Sequence, residues 1–271
     1  MTQIDKALKF QQLHERAGTF LIPNPWDIGS TRILAGLGFE AFATSSGAAA
    51  GVLGRRDGKI TREEALAHAG AIAGATDRPV SADLENGFGD RPEVVAETIR
   101  LAAAAGLAGG SIEDATGQQE PLYDLTLATE RVAAAVEATK ALPFRFTLTA
   151  RAENFVRGKP DLDDTIKRLL AYQNAGADVL FAPALPDLAA VREVCSAVSK
   201  PVNFMVGIRG KSFTVAELAN AGVKCISFAS SLYRAAMTGL VEAASEAKQG
   251  GTFGYLDRTL PTAEVTRFFP D

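Results

Sequence analysis

Eight short apolar segments alternate with eight Ala- and Leu-rich stretches, and this alternation restricts the folds open to the chain. The strand candidates lie at about 20–24 (FLIPN), 40–45 (EAFATS), 80–84 (VSADL), 110–113 (GSIE), 145–150 (RFTLTA), 178–183 (DVLFAP), 201–206 (PVNFMV) and 225–229 (CISFA). The helical candidates lie near 29–37, 62–75, 92–105, 124–141, 162–175, 187–198, 214–221 and 231–248. Thr61 before Glu63-Glu64 reads as an N-cap followed by first-turn acids, and Gly106, Gly176 and Gly222 read as helix stops. Near-continuously apolar strands separated by helices indicate a parallel sheet covered on both faces. Eight such units predict an α/β fold of the (β/α)8 (TIM) barrel type. A doubly wound open sheet is the alternative, but no G-x-G-x-x-G follows the first strand. Residues 5–17 predict an extra N-terminal helix. Residues 249–271, with Phe253, Tyr255, Phe268 and Phe269, predict an aromatic tail that packs on the barrel or on a neighbouring subunit. The chain 1–271 is thus read as one barrel domain ending in that tail.

Composition removes several classes of function. A net charge of −4 offers no basic field for nucleic acid. No apolar run approaches the roughly 20 residues that span a bilayer. The first residues, Met1-Thr-Gln-Ile-Asp-Lys6, lack the basic-then-apolar order of a signal peptide. The two cysteines, Cys195 and Cys225, make neither a metal pattern nor a disulfide framework. A cytoplasmic protein acting on a small molecule is the expectation, with no nucleic-acid and no membrane partner.

In a barrel the C-terminal strand ends line the active site and the opposite ends serve stability. Strand 2 ends at Ser45-Ser46-Gly47, strand 3 at Asp83, Glu85 and Asn86, strand 4 at Glu113 and Asp114, and strand 5 at Arg151 and Glu153. Strand 7 adds Asn203, placed here among the substrate-binding residues. His14, His68 and Cys195 fall in helical stretches, and Cys225 begins strand 8 at the wrong end. That argues against a Ser-His or Cys-His nucleophile, and no strand-borne lysine offers a Schiff base. What remains is hard oxygen ligands and one fixed cation. Asp83, Glu85 and Glu113 suit Mg²⁺ or Mn²⁺, held directly or through water. Arg151 is a permanent positive charge, and with a divalent ion it would stabilise an oxyanion or enolate. Ser45, Ser46 and Gly47 offer hydroxyls and backbone N–H groups to a carboxylate. The bland alternatives are a helix cap for a lone strand-end acid, and a structural ion-pair network for Arg151.

These residues, in this order, resemble the isocitrate lyase/phosphoenolpyruvate mutase superfamily. The likeness runs through Pro23-Asn-Pro-Trp-Asp27, Thr44-Ser-Ser-Gly47, Asp83-Leu-Glu-Asn-Gly-Phe-Gly89, Ser111-Ile-Glu-Asp114 and Thr149-Ala-Arg151. It implies a (β/α)8 barrel whose last helix is swapped between subunits of a homo-oligomer, a dimer or tetramer. It also implies Mg²⁺ and an α-keto or 2-hydroxy acid, with a C–C or C–P bond made or broken through a pyruvate enolate. By position, Asp83 resembles the main metal carboxylate, with Glu85 and Glu113 acting largely through bound water. Arg151 resembles the arginine on the substrate oxygens. Asp57, in Gly54-Arg-Arg-Asp-Gly58, resembles a catalytic loop acid.

Three departures narrow the expectation. The loop after strand 4, Ala115-Thr-Gly-Gln-Gln-Glu-Pro121, lacks the Lys-Lys-Cys-Gly-His of the isocitrate and methylisocitrate lyases. Glu85 stands where the family usually has a second aspartate, and Ala182-Pro183-Ala184 stands where many members have a glutamate. Oxaloacetate decarboxylation fits best, because departing CO₂ needs no general acid. Phosphonopyruvate hydrolysis or phosphomutase chemistry is the second reading, with Thr116, Gln118, Gln119 and the loop Gly207–Lys211 as phosphoryl partners. An α-keto acid binding protein with little catalysis is the third.

Overall fold

A computed structural model of the chain describes residues 1–116, 121–211 and 213–269. Gln118 and Gln119 lie outside the described residues.

Eight parallel strands form one sheet in the order β1-β8-β7-β6-β5-β4-β3-β2. They are β1 (Phe20–Ile22), β2 (Phe42–Ala43), β3 (Val80–Asp83), β4 (Gly109–Glu113), β5 (Thr147–Arg151), β6 (Val179–Phe181), β7 (Val202–Met205) and β8 (Cys225–Ser227). The seam between β1 and β2 is bridged where the Ala43 N–H donates to the Pro23 carbonyl at 3.1 Å. The result is a nearly closed barrel of the expected (β/α)8 class.

The helices that follow the strands are α2 (Ile28–Gly36), α4 (Arg62–Gly74), α5 (Pro92–Ala104), α6 (Leu125–Lys140), α7 (Leu162–Ala175), α8 (Leu188–Ala197), α9 (Val215–Asn220) and α10 (Ser231–Ser245). Their starts are chemically marked. Thr61 and Glu64 close a reciprocal capping box on α4, and Thr214 and Glu217 do so on α9. Gly176 ends α7 at φ 107°, a left-handed conformation that favours glycine. Among the described residues, no helix is long and apolar enough to cross a membrane.

The extra N-terminal helix is α1 (Gln3–Glu15), two residues earlier than its sequence pattern indicated. Its Ala7, Phe10 and Leu13 close the barrel bottom against Phe20, Ile22, Ala41, Ala108 and Cys225. The Phe10 ring occupies the space a side chain at Gly109 would need, with a Cβ there only 2.9 Å from Phe10 Cε1. Helix α3 (Ser46–Val52) replaces the turn expected after strand 2. Beyond α10 come a π-helical turn at Glu246–Gly250, a 3-10 turn at Gly254–Arg258 and α11 (Thr262–Thr266). No α10 residue is buried, and Leu240 and Val241 are 60% and 63% exposed. In the aromatic tail Phe268 packs on Gly36 of α2, while Phe253 stays 59% exposed.

Candidate active site

A cavity of about 310 Å³ runs down the barrel axis to Phe10 and His14. Its upper wall carries Ser45, Ser46, Gly47, Asp57, Asp83 and Arg151, and Asn203 stands lower down. Val156, Phe181, Pro183, Met205 and Ile208 form an apolar side, with Arg234 also lining the space. Glu85 and Glu113 do not line the cavity; they stand behind Asp83 and Arg151.

The strand register explains the grouping. Glu113 of β4 pairs in register with Arg151 of β5, and Asp83 of β3 sits level with Ser111 of β4. Because inward side chains recur every second residue, Asp83 lies one inward step below Glu113 and Arg151, within reach of the long arginine side chain. Arg151 Nη1 donates to Asp83 Oδ1 at 3.0 Å, and Nη2 lies 3.2 Å from Glu113 Oε2 and 2.9 Å from Glu153 Oε1. Burial alone would lower the Arg151 pKa, but Glu153, Asp83 and Glu113 together raise it. Arg157 adds a second cation, 3.1 Å from Glu113 Oε1 and 3.5 Å from Glu153 Oε2. Glu153 is 1% exposed and its backbone N–H donates to Asp114 Oδ1 at 2.9 Å.

Asp83 is fixed on both oxygens. Oδ2 accepts from the Ser46 N–H at 3.1 Å, and Oδ1 also accepts from the Glu85 N–H at 3.2 Å. Ser45 is the N-cap of α3, its hydroxyl 3.5 Å from the Ala48 nitrogen, so it positions the helix rather than presenting a free hydroxyl. Gly47 faces Asp57, whose Oδ2 would lie 3.4 Å from a Cβ at that position. Asn203 donates from Nδ2 to Ser227 Oγ at 3.1 Å, and its buried Oδ1 has no partner among the described residues.

Glu85 has the most unusual surroundings. Its backbone is left-handed at φ 48°, and Phe88, Ala184 and Ala229 share such conformations at the same end of the barrel. Its buried Oε1 has no hydrogen-bond partner among the described residues. Burial, then the neighbouring charges of Asp83 and Asp57, push its pKa up to about 7 despite Arg151 and Arg157. Glu113 is raised too, chiefly by burial and by Glu153.

Asp83, Glu113 and Glu153 thus share the guanidiniums of Arg151 and Arg157, while among the described residues Asp57 and Glu85 pair with neither. Among the described residues, no group of three or more His, Cys, Asp or Glu side chains makes a ready metal cage. The donor set still fits a hard divalent ion, which takes one or two carboxylates and keeps several waters. The surplus negative charge and the unpartnered Glu85 oxygen are the observations in favour.

Burial favours the neutral forms of His14 and of both cysteines. His14 Nδ1 lies 2.9 Å from the Phe10 carbonyl, and burial pulls its pKa down to about 4. Burial pushes the Cys195 thiol up to about 11 and that of Cys225 further up. Sequence reasoning missed Arg157, Arg131 and Tyr123. Arg157 follows Glu153 by one helical turn, a spacing that signals an ion pair. Arg131 recurs with Ala128, Val132 and Ala135 on the buried face of α6, which was the available sign.

Comparison with known proteins agrees with this geometry. The family described as phosphoenolpyruvate phosphomutase matches residues 10–248. A solved structure from Burkholderia cenocepacia J2315, described as "a putative lyase/mutase", is 50% identical, covers 99% of this chain and 97% of that one, and superposes with a TM-score of 0.96. An uncharacterized protein of Mycobacterium tuberculosis strain H37Rv is 33% identical over 260 residues, 95% of each chain. The 2-methylisocitrate lyase of Escherichia coli K12 is 33% identical over 210 residues, 73% of this chain and 69% of that one. The chain belongs to the phosphoenolpyruvate phosphomutase family, within the superfamily of lyases and mutases that includes isocitrate lyase.

Proposed function

We propose that this protein is a divalent-cation-dependent carbon–carbon lyase for a small α-keto or 2-hydroxy acid, with oxaloacetate decarboxylation as its reaction. The carrying observation is Arg151 locked at the cavity wall by Asp83, Glu113 and Glu153. A guanidinium held so firmly needs no reorganisation as negative charge develops beside it. Asp83, Glu85 and Glu113 would hold Mg²⁺, or Mn²⁺ in its place, which supplies Lewis-acid polarisation of the substrate's carbonyl oxygen.

The chain's own residues divide the remaining work. Ser46 and Gly47, with Asn203 below, bind the carboxylate next to the carbonyl. Arg151 faces the carbonyl oxygen as the C3–C4 bond breaks and its electron pair moves toward that oxygen. CO₂ leaves, and the enolate takes a proton at C3 from solvent. Asp57, beside Gly47, orders that water. The apolar side formed by Phe181, Pro183 and Met205 keeps other water away from the enolate. We also propose that the exposed α10 and aromatic tail pack against a second copy, giving a homo-oligomer.

The C–P reading draws on Arg234 and the loop Gly207–Lys211. Arg234 is tied to the Gly207 carbonyl, and Lys211 Nζ donates to the Ala184 carbonyl at 3.1 Å. Arg234 and Lys211 are thus engaged by backbone and Arg209 is exposed, which favours C–C cleavage. The test is incubation with oxaloacetate, phosphonopyruvate or 2-methylisocitrate, with Mg²⁺ or with chelator, measuring pyruvate, phosphate and succinate. Chelator-sensitive pyruvate from oxaloacetate is the expected result. Phosphate release from phosphonopyruvate alone would replace this reading with the second, and binding without turnover would leave the third.

A further inference from the structure

Arg131 is 1% exposed on α6, away from the cavity lining. No carboxylate pairs with it among the described residues. Asp90 and Asp114 act on it only from beyond ion-pair distance, and burial pulls this guanidinium's pKa down. Its compensation comes from the loop after β3. Nη1 donates to the Gly89 carbonyl at 2.6 Å and to that of Asp90, and Nη2 donates to that of Asn86. The same loop contains Glu85, Gly87 and Phe88, all left-handed, two of them not glycine.

Tyr123 completes the arrangement. Arg131 Cζ lies 4.1 Å from its ring centroid. The Tyr123 hydroxyl donates to Asp90 Oδ1 at 2.6 Å and accepts from Asn86 Nδ2 at 3.2 Å. Its backbone N–H donates to the Asp114 carbonyl at 2.9 Å, beside the bridge between Ala115 and Leu122. One stacked pair therefore grips the loops after both β3 and β4.

We propose that Arg131 is a positioning residue for Glu85: by holding three carbonyls of the loop Asn86–Asp90, and the β4 loop through Tyr123, it fixes the backbone twist that sets the Glu85 carboxylate beside Asp83. This rests on the reading of Glu85 as part of a cation site. The fork matters, since Nη1 serves the Gly89 and Asp90 carbonyls and Nη2 that of Asn86, and a lysine has one nitrogen in place of the two.

The experiment is a double-mutant cycle on the full-length protein with Arg131→Gln, Glu85→Gln and both together. Mn²⁺ alone is the probe, its free fraction read by electron paramagnetic resonance. Each single variant is expected to weaken Mn²⁺ binding at least tenfold, the double variant no more than either single. Arg131→Lys is expected to behave like Arg131→Gln. Affinity within threefold of the parent, or multiplicative losses in the double variant, would overturn the proposal, because a merely structural arginine acts independently of Glu85. If Arg131→Gln does not fold, Tyr123→Phe keeps the ring and removes two loop hydrogen bonds; unchanged Mn²⁺ affinity there would overturn it equally. If the parent binds no Mn²⁺, the cation reading has failed separately. The same cycle read by urea unfolding in chelator then decides: at least tenfold coupling in the unfolding constant supports the proposal, and independence of the two sites refutes it.

Discussion

Replacing Glu85 by glutamine removes a half-buried carboxyl whose pKa is displaced from 4.5 to about 7, first by burial and then by Asp83 and Asp57. The sign of the effect follows from proton linkage. Below pH 4.5 the carboxyl is protonated both folded and unfolded, so its native environment costs nothing. Between pH 4.5 and about 7 the folded state holds the proton more tightly, so stability falls as pH rises. Above about 7 the folded state carries the full penalty of an ionised, poorly solvated carboxylate. At about 1.4 kcal/mol per pKa unit, the displacement sets a ceiling of roughly 3 kcal/mol. Partial solvent contact screens part of it, so about 1–2 kcal/mol is the expected gain for Glu85→Gln at pH 8. Urea unfolding in the presence of chelator, at pH 4.5 and at pH 8, measures it. The variant should match the parent at the lower pH and exceed it at the higher. Added Mg²⁺ should shrink or reverse that gain by stabilising the parent. Equal stability of the two proteins at both pH values would refute the electrostatic account of this residue.

Three further outcomes follow from other parts of the molecule. Arg151→Lys should lower oxaloacetate turnover by about 100-fold or more, since one ammonium cannot hold Asp83, Glu113 and Glu153 while facing the substrate; retention of a tenth of the rate would rule out its role. Tyr172→Phe deletes the 2.5 Å hydrogen bond from its hydroxyl to the buried Asp114. It should cost about 2 kcal/mol in urea unfolding, the range for a bond to a charged group; a neutral change would mean that Arg168, 3.1 Å from the same oxygen, suffices alone. Leu240→Glu with Val241→Glu should yield monomers in sedimentation velocity if the exposed face of α10 meets a second copy; an unchanged oligomer would place the interface elsewhere.

The barrel was legible because short, largely buried strands alternate with helices, several of them bounded by caps that work locally, as at Thr61 and Gly176. Strand 2 was read as six residues where two pair. Its last positions lead into α3, seven residues long and mostly alanine and glycine, too short and too uniform to carry a helical period. The gathering of charges at one end of the barrel was legible for a simple reason: that is where the C-terminal ends of parallel strands come together. Their pairing was not legible. Sequence order suggested an arginine opposing a trio of metal acids. In the fold, Arg151 binds Asp83, Glu113 and Glu153, Arg157 shares the last two, and Glu85 is left without a cation in contact.

That partition carries the chemical consequence. Arg151 and Arg157 engage Asp83, Glu113 and Glu153, while Glu85 keeps a left-handed backbone and a carboxyl whose pKa burial and the nearby acids push up. A single extra methylene relative to aspartate lets its carboxylate withdraw behind Asp83 while remaining close enough to feel it. The residue paired with that geometry is neither a strand-end acid nor a cavity residue. It is Arg131, in an alanine-rich helix where an arginine ordinarily reads as solvated, and only the buried positions on either side of it indicate otherwise. Motif reading finds the charges at the strand ends, because the strands mark them. Groups that hold the loops in shape lie one layer out, where their sequence signal is that of any helix facing a core.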